Sequence, residues 1–263
     1  MDKLSCFETI LVDIQPPFAH VTLNRPKQRN AMNFQMVDEL LACFTALRDN
    51  RDVRAIILSG AGGHFCAGGD IGDLQAAVGM SDAEQDATVS RLDTLLRAVN
   101  EAPQAVIAKV DGVALGGGFG LVCVSDVCIA ATTASFGLPE VRLGLAPAVI
   151  APFVIQRLGL TRARILMLTG TRFDGVTAHE YGLIHEVCPP EILDECTDAF
   201  LKELRECSPN AIAAIKALMF EAVGKGLDDS LPYRARLLNT LRQSEDGQEG
   251  MMAFMQKRPP RWA

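Results

Sequence analysis

Two apolar runs, "VRAIILSG" (Val53–Gly60) and "QAVIAKVDG" (Gln104–Gly112), each pass straight into a glycine-rich stretch. A short, unbroken apolar run bounded by glycine suits a strand buried on both faces. Such a strand needs helices to cover it. The chain supplies them. After Asn33, a helix-capping residue type, Met36, Val37, Leu40, Leu41, Phe44 and Leu47 recur at three and four positions, the spacing of one helix face. A second helical stretch runs from about Asp82 to Asn100. Ahead of both, "FETILVDIQ" and "AHVTLN" flank Pro16 and Pro17 and read as a hairpin. "DVCIAA", "ASFGLPE" and "LIHEVC" give further extended pieces, and helices alternate with loops from Ala151 to Gly182. Beyond Pro190 the chain reads as helix nearly to its end. The expectation is one α/β core with a helical C-terminal extension.

The 263 residues carry a net charge of −7, with a pI near 5.2, which argues against nucleic acid or an anionic membrane surface as the main partner. No charge-free apolar stretch of about 18 residues offers a membrane span. The N-terminus lacks the basic-then-apolar pattern of a secretion signal, so a cytoplasmic location is expected. The eight cysteines form no CxxC and read mostly as buried, reduced thiols. His20, His64, His179 and His185 are scattered, so no metal is expected.

The chemistry centres on "SGAGGHFCAGGDIGDL" and "VDGVALGGGFGLVCVSD". Both read as glycine loops that follow a strand and lead into a helix. Neither contains GxxxxGK[ST], and GxGxxG fails because Leu121 occupies its last place. Either loop alone fits close strand–helix packing. Side by side they aim two backbone N–H groups at one point, which is how an oxyanion hole is built. "SFGLPEVRLGLAP" adds Glu140, which follows a proline among apolar neighbours. Such a carboxylate tends to a raised pKa, as a proton-shuttling group needs. Read alone, it is equally a surface or helix-capping glutamate.

Taken together, "LNRPKQRNAMN", "HFCAGGDIGDL", "DGVALGGGFGLVCVSDVCIAA", "FGLPEVRLGLAP" and "SEDGQEGMMAFMQKRPPRW" resemble the crotonase, or enoyl-CoA hydratase/isomerase, superfamily, in order along nearly the whole chain. The resemblance implies an α/β crotonase spiral of strand–strand–helix turns over residues 1–200. It also implies a helical oligomerisation region over 201–263 that builds a trimer or a dimer of trimers. It implies an acyl-CoA thioester substrate and no cofactor beyond the CoA in that substrate. The oxyanion donors would be Gly69 and Gly117, and the acid/base Glu140. Ala67, Asp70, Ile71, Gly116 and Gly120 would surround the acyl end. Lys27, Arg29 and Ala31, in "RPKQRNA", would meet the nucleotide part of CoA. Phe254 and Lys257 would reach the CoA of a neighbouring subunit, although alone Lys257 reads as a solvated tail charge.

The chain departs from the family at the place of a catalytic carboxylate. Hydratases of the superfamily carry a first glutamate two residues after the triple glycine, where this chain has Gly120. One carboxylate still suffices for proton transfer. It fits syn hydration, double-bond isomerisation or, at the limit, an inert CoA-binding member. The missing side chain is expected to leave room for a branched or carboxylate-bearing acyl chain, shaped by Val149, Ile150 and Phe153. "FGLPEVRLGLAPAVIAPFVIQRLG" is similar to the branch that hydrates glutaconyl-type CoA esters, especially isohexenylglutaconyl-CoA and methylglutaconyl-CoA. Arg142 is then a candidate partner for a substrate carboxylate, or else one half of a surface ion pair.

Overall fold

The computed structural model describes residues 7–263, and Cys6 lies outside them. Strands β1 (Ile10–Gln15) and β2 (Phe18–Leu23) pair antiparallel as the expected hairpin. Helix α1 (Phe34–Leu47) starts at Asn33, whose side chain accepts the Met36 N–H at 2.9 Å. Its buried face is Met36, Val37, Leu40, Cys43, Phe44 and Leu47. Strand β3 (Ala55–Gly60) follows, then α2 (Ile71–Ala77) and α3 (Asp82–Asn100), which opens with a Ser81–Glu84 capping box.

The middle of the chain holds β4 (Ala105–Val110), β5 (Val113–Leu115), α4 (Gly117–Val124), β6 (Val127–Ala131) and β7 (Ser135–Gly137). A 3-10 turn, Pro139–Leu143, leads to α5 (Ala151–Thr169), β8 (Phe173–Asp174), α6 (Gly175–Glu180) and β9 (Glu186–Cys188). Four helices finish the chain: α7 (Leu193–Arg205), α8 (Pro209–Ala222), α9 (Leu227–Gln243) and α10 (Glu245–Gln256).

One sheet has six strands in the order β1-β2-β3-β4-β6-β9, parallel except for the hairpin. A second has three, β5-β7-β8, with β8 antiparallel. The central strands β3 and β4 are buried on both faces, as their unbroken apolar runs require. Among the described cysteines, Cys43, Cys66, Cys123, Cys128 and Cys188 are buried, Cys196 is half-buried and Cys207 exposed. Burial pushes the Cys43, Cys66 and Cys123 thiols up to about 12, so they are uncharged at neutral pH.

Two expectations need correction. The segment "GGGFG" is not a loop: Gly117 onward is the first turn of α4, and the unexpected strand β5 precedes it. Glycine disfavours helix in isolation, but here tertiary packing decides. A Cβ on Gly118 would lie 2.6 Å from both Cβ and the carbonyl oxygen of Cys66, so only glycine lets α4 approach that segment. The expected division at residue 200 falls inside α7, whose Leu193, Thr197 and Leu201 are buried against the core. The outer helices are tied back to that core. Buried Lys216 of α8 donates to Asp126 at 2.6 Å and to the Gln104 carbonyl at 3.0 Å. Arg54 donates to the carbonyls of Arg205 and Trp262. Among the described residues, no helix is long and apolar enough to cross a membrane.

Candidate active site

Three backbone segments lie edge to edge. The Ala67 N–H donates to the Arg29 carbonyl at 3.0 Å, Met32 to Gly68 at 2.7 Å, and Asp70 back to Met32 at 2.8 Å. On the other side, Cys66 donates to Val113 at 2.8 Å and Leu115 to Cys66 at 2.9 Å. The ladder thus runs from residues 29–32, across 65–70, to 113–116. It leaves Gly69 unused: among the described residues, its N–H donates to nothing. The Gly117 N–H is also free, because the first N–H groups of a helix have no partner within it. The two glycine segments therefore do come together, as the sequence suggested, and each brings one unpaired donor.

Glu140 is mounted over the start of α4. The Gly116 N–H donates to the Gly137 carbonyl at 3.0 Å, which fixes the end of β7 and the Pro139–Leu143 turn beyond it. Gly116 has φ of 49°, and a Cβ there would fall 2.8 Å from Glu140 Oε1. Backbone conformation and the neighbouring carboxylate both demand glycine. Glu140 Oε2 is buried and has no hydrogen-bond partner among the described residues. Burial pushes its carboxyl above the usual carboxylate range, against a smaller opposing effect from its own backbone N–H.

These groups border a cleft of about 470 Å³. Of the sequence-predicted residues, Arg29, Ala31, Ala67, Gly69, Asp70, Ile71, Gly116 and Glu140 line it, and Gly117 follows Gly116 directly into α4. Lys27 sits in the adjacent 3-10 turn, Pro26–Gln28, without lining the cleft. Phe254 and Lys257, at the end of α10, also stay outside the cleft of their own chain, with Phe254 85% exposed. A second cavity, of about 520 Å³, lies between β6, β9 and α7 and contains none of these residues. Among the described residues, no three His, Cys, Asp or Glu side chains gather as a metal-ligand set.

Three assignments change. Gly120 does not open space beside an acyl group. A Cβ there would point at Ile150, 2.5 Å from Cγ2, and at Leu96, both in the core. The volume of the missing side chain is filled by Ile150, which is 3% exposed; neither it, Val149 nor Phe153 lines the cleft. Asp70 borders the cleft, but its carboxylate is committed to the fold. It pairs with Arg25 at 2.8 Å and accepts the Gly72 N–H at 2.9 Å as the N-cap of α2. The Arg25 hydrogen bond holds its carboxyl below the usual range. Arg142 donates from Nε to the Thr169 carbonyl at 3.3 Å, at the end of α5, and does not line the cleft. On the Glu140 side, the arginine that lines the cleft is Arg172, together with Leu143 and Leu145. Sequence reading missed it because β8, which begins one residue after it, has only two residues.

The arrangement offers two free N–H donors and one desolvated carboxyl around a largely apolar cleft. That set can stabilise a developing oxyanion and move a proton beside it. The sequence pattern of the enoyl-CoA hydratase/isomerase family matches residues 13–263. A Mycobacterium bovis protein named probable enoyl-CoA hydratase echA8 is 36% identical over 97% of this chain and 98% of its own length. The trans-2-decenoyl-[acyl-carrier-protein] isomerase of Streptococcus mutans is 30% identical over 97% of this chain and 98% of its own. The solved structure of Pseudomonas aeruginosa AtuE has a TM-score of 0.95 at 47% identity, covering 97% of this chain and all of that one.

Proposed function

The chain belongs to the enoyl-CoA hydratase/isomerase family, and from that premise we propose that it hydrates an enoyl-CoA with Glu140 as its sole acid/base. The observation that carries this reading is the buried Glu140 Oε2, unpartnered among the described residues, on the same cleft as Gly69 and the Gly116 that leads into Gly117, whose N–H groups are free. The thioester oxygen accepts both N–H groups. Glu140, ionised, takes a proton from a water as its oxygen adds to the β-carbon. Negative charge moves onto the thioester oxygen, where the donors hold it. Glu140 then delivers the proton to the α-carbon, and the thioester carbonyl re-forms. Every atom of the water ends in the product, and the glutamate returns to its starting state.

Isomerisation is the second reading. The observation favouring it is Gly120: no second carboxylate grips a water, and moving one proton between carbons needs only Glu140. The relative named as an isomerase fits this alternative.

The acyl chain is proposed to be branched and of glutaconyl type. Support comes from the exposed apolar wall of Leu143 and Leu145, and from the lack of a second enzyme carboxylate to repel one on the substrate. Lys27, Arg29 and Ala31 are proposed to meet CoA on the far side of the ladder. Phe254 and Lys257 would meet the CoA of a neighbouring subunit in a trimer or dimer of trimers, with no cofactor besides CoA, in the cytoplasm. The exposed apolar side chains of α8–α10, among them Leu227, Met251 and Met255, support assembly through the tail.

A panel of enoyl-CoA esters, followed by loss of conjugated-thioester absorbance with product identification, tests the proposal. A β-hydroxyacyl product supports hydration, a shifted double bond supports isomerisation, and no product from any ester overturns both.

A further inference from the structure

We infer that Arg172 selects an acyl chain bearing a distal carboxylate. The inference rests on the acyl-CoA reading above and names the substrate class of the same cleft. Its first support is position. Strand β8 pairs with β7 through Phe136 and Phe173, and this lays Arg172 against Gly137. The Arg172 Cα and Cγ come to 3.5 Å and 3.3 Å from where a Gly137 Cβ would stand. Gly137 in turn accepts the Gly116 N–H, and Gly116 abuts Glu140. Across the site the order is therefore 29–32, 65–70, 113–116, Gly137, Arg172. Arg29 and Arg172 occupy opposite margins of one cleft, with the proposed chemistry between them.

The second support is charge. Among the described residues, the Arg172 guanidinium makes no hydrogen bond and no ion pair, whereas Arg25 is committed to Asp70 and the Ala31 carbonyl. Of the carboxylates bordering the cleft, Asp70 is neutralised by Arg25, and burial pushes Glu140 toward its uncharged form. The margin beyond Glu140 thus carries an uncompensated positive charge beside the apolar Leu143 and Leu145. A guanidinium is a planar fork of donors matched to a carboxylate.

The third support is rigidity. Phe173, next in sequence, stacks on Phe136 with centroids 5.9 Å apart and meets Phe119 edge-on at 6.2 Å. The arginine stem therefore projects from a fixed mount, while its head stays accessible to an incoming ligand.

The test uses saturated esters, which bind without reacting. Glutaryl-CoA and butyryl-CoA are titrated calorimetrically into the full-length wild type, Arg172→Met and Arg172→Lys. Because Arg172 is exposed to solvent, the expected preference of the wild type for glutaryl-CoA is about threefold to fivefold. Arg172→Met should abolish it by weakening glutaryl-CoA alone, Arg172→Lys should keep part of it, and added salt should shrink it. If Arg172→Met does not fold, Arg172→Gln supplies the same readout. The inference is overturned if the wild type shows no preference, if the preference survives Arg172→Met, or if that variant weakens both esters alike. Failure of the hydratase reading appears separately, as absent turnover of the enoyl esters, and leaves the binding preference intact.

Discussion

Gly120 and Ile150 form a coupled pair whose energetics can be measured. Gly120→Ala adds one carbon at a position fixed by the backbone, 2.5 Å from Ile150 Cγ2, 3.2 Å from Ile150 Cβ and 3.7 Å from Leu96 Cδ2. Carbon pairs settle at about 3.5–4.0 Å, so Ile150 must retreat by roughly 1 Å. It is buried at the entry to α5 and has no free volume to move into. Overpacking of this kind costs about 1–3 kcal/mol, against about 1 kcal/mol recovered by replacing glycine in a helix, for a net loss of up to about 2 kcal/mol. Ile150→Ala alone leaves a cavity and costs about 2–5 kcal/mol. In the double variant the new methyl fills part of that cavity, so the two losses should fall short of their sum by at least about 1 kcal/mol. For a chain of this length, each 1 kcal/mol moves the thermal midpoint by about 2–4 °C. Urea and thermal unfolding of all four proteins at one concentration give the coupling. Additivity within about 0.5 kcal/mol would refute the packing argument and return Gly120 to the cleft. The same geometry predicts that Gly120→Glu alone does not recreate a paired-carboxylate site. It drives an unpaired charge between Ile150 and Leu96, and the protein should lose stability by several kcal/mol rather than gain activity.

Glu140→Gln should lower turnover by about 10²–10⁴-fold while CoA-ester affinity is retained, and near-wild-type turnover would remove Glu140 from the mechanism. With ionised Glu140 as the proposed base and its pKa raised by burial, the acid limb of the kcat/KM profile should lie above the ordinary glutamate value of about 4.3; a limb at or below that value counts against the assignment. The native state also holds this proton more tightly than the unfolded chain does. The stability linked to Glu140 is therefore present below the unfolded pKa and lost as pH rises through the folded one. Glu140→Gln should be more stable than wild type at neutral pH, with the gap closing in acid. Lys216→Met removes the buried partner of Asp126 and should destabilise by about 3 kcal/mol, read as a lower urea midpoint; an unchanged midpoint would mean that α8 is held by apolar packing alone.

The sequence disclosed what is encoded locally. Asn33 capped α1, and the stretch from Asp82 to Asn100 is α3 to the residue, because caps and periodicity act within one or two turns. It also suggested that two glycine segments converge, since the strands leading toward them, β3 and β4, are parallel neighbours. What it withheld depends on packing between distant segments. "GGGFG" is helical only because α4 is surrounded, which no propensity reveals. The volume next to Gly120 looked vacant in one dimension and is occupied in three, by a residue thirty positions away. Arg142 and Arg172 are separated by the same distance in sequence. Only the two-residue pairing of β8 with β7 decides which of them faces the cleft.

Helix α4 presents no solvent face: Gly118 through Val124 are all buried. Such a helix cannot rotate or slide without emptying core volume on one side and overfilling it on the other. The direction of its leading N–H groups is therefore settled when the protein folds and does not adjust to the acyl chain that arrives. The wall formed by the turn beyond Glu140 is built differently, since Leu143 and Leu145 are exposed and bear little of the core. Mutational tolerance should divide along this line. Libraries that vary residues 141–145 should yield folded proteins with altered acyl preference, and libraries across 117–124 should yield few folded proteins. Retargeting this scaffold to new thioesters is then a matter of rewriting one short turn while the helix proposed to hold the oxyanion is left untouched.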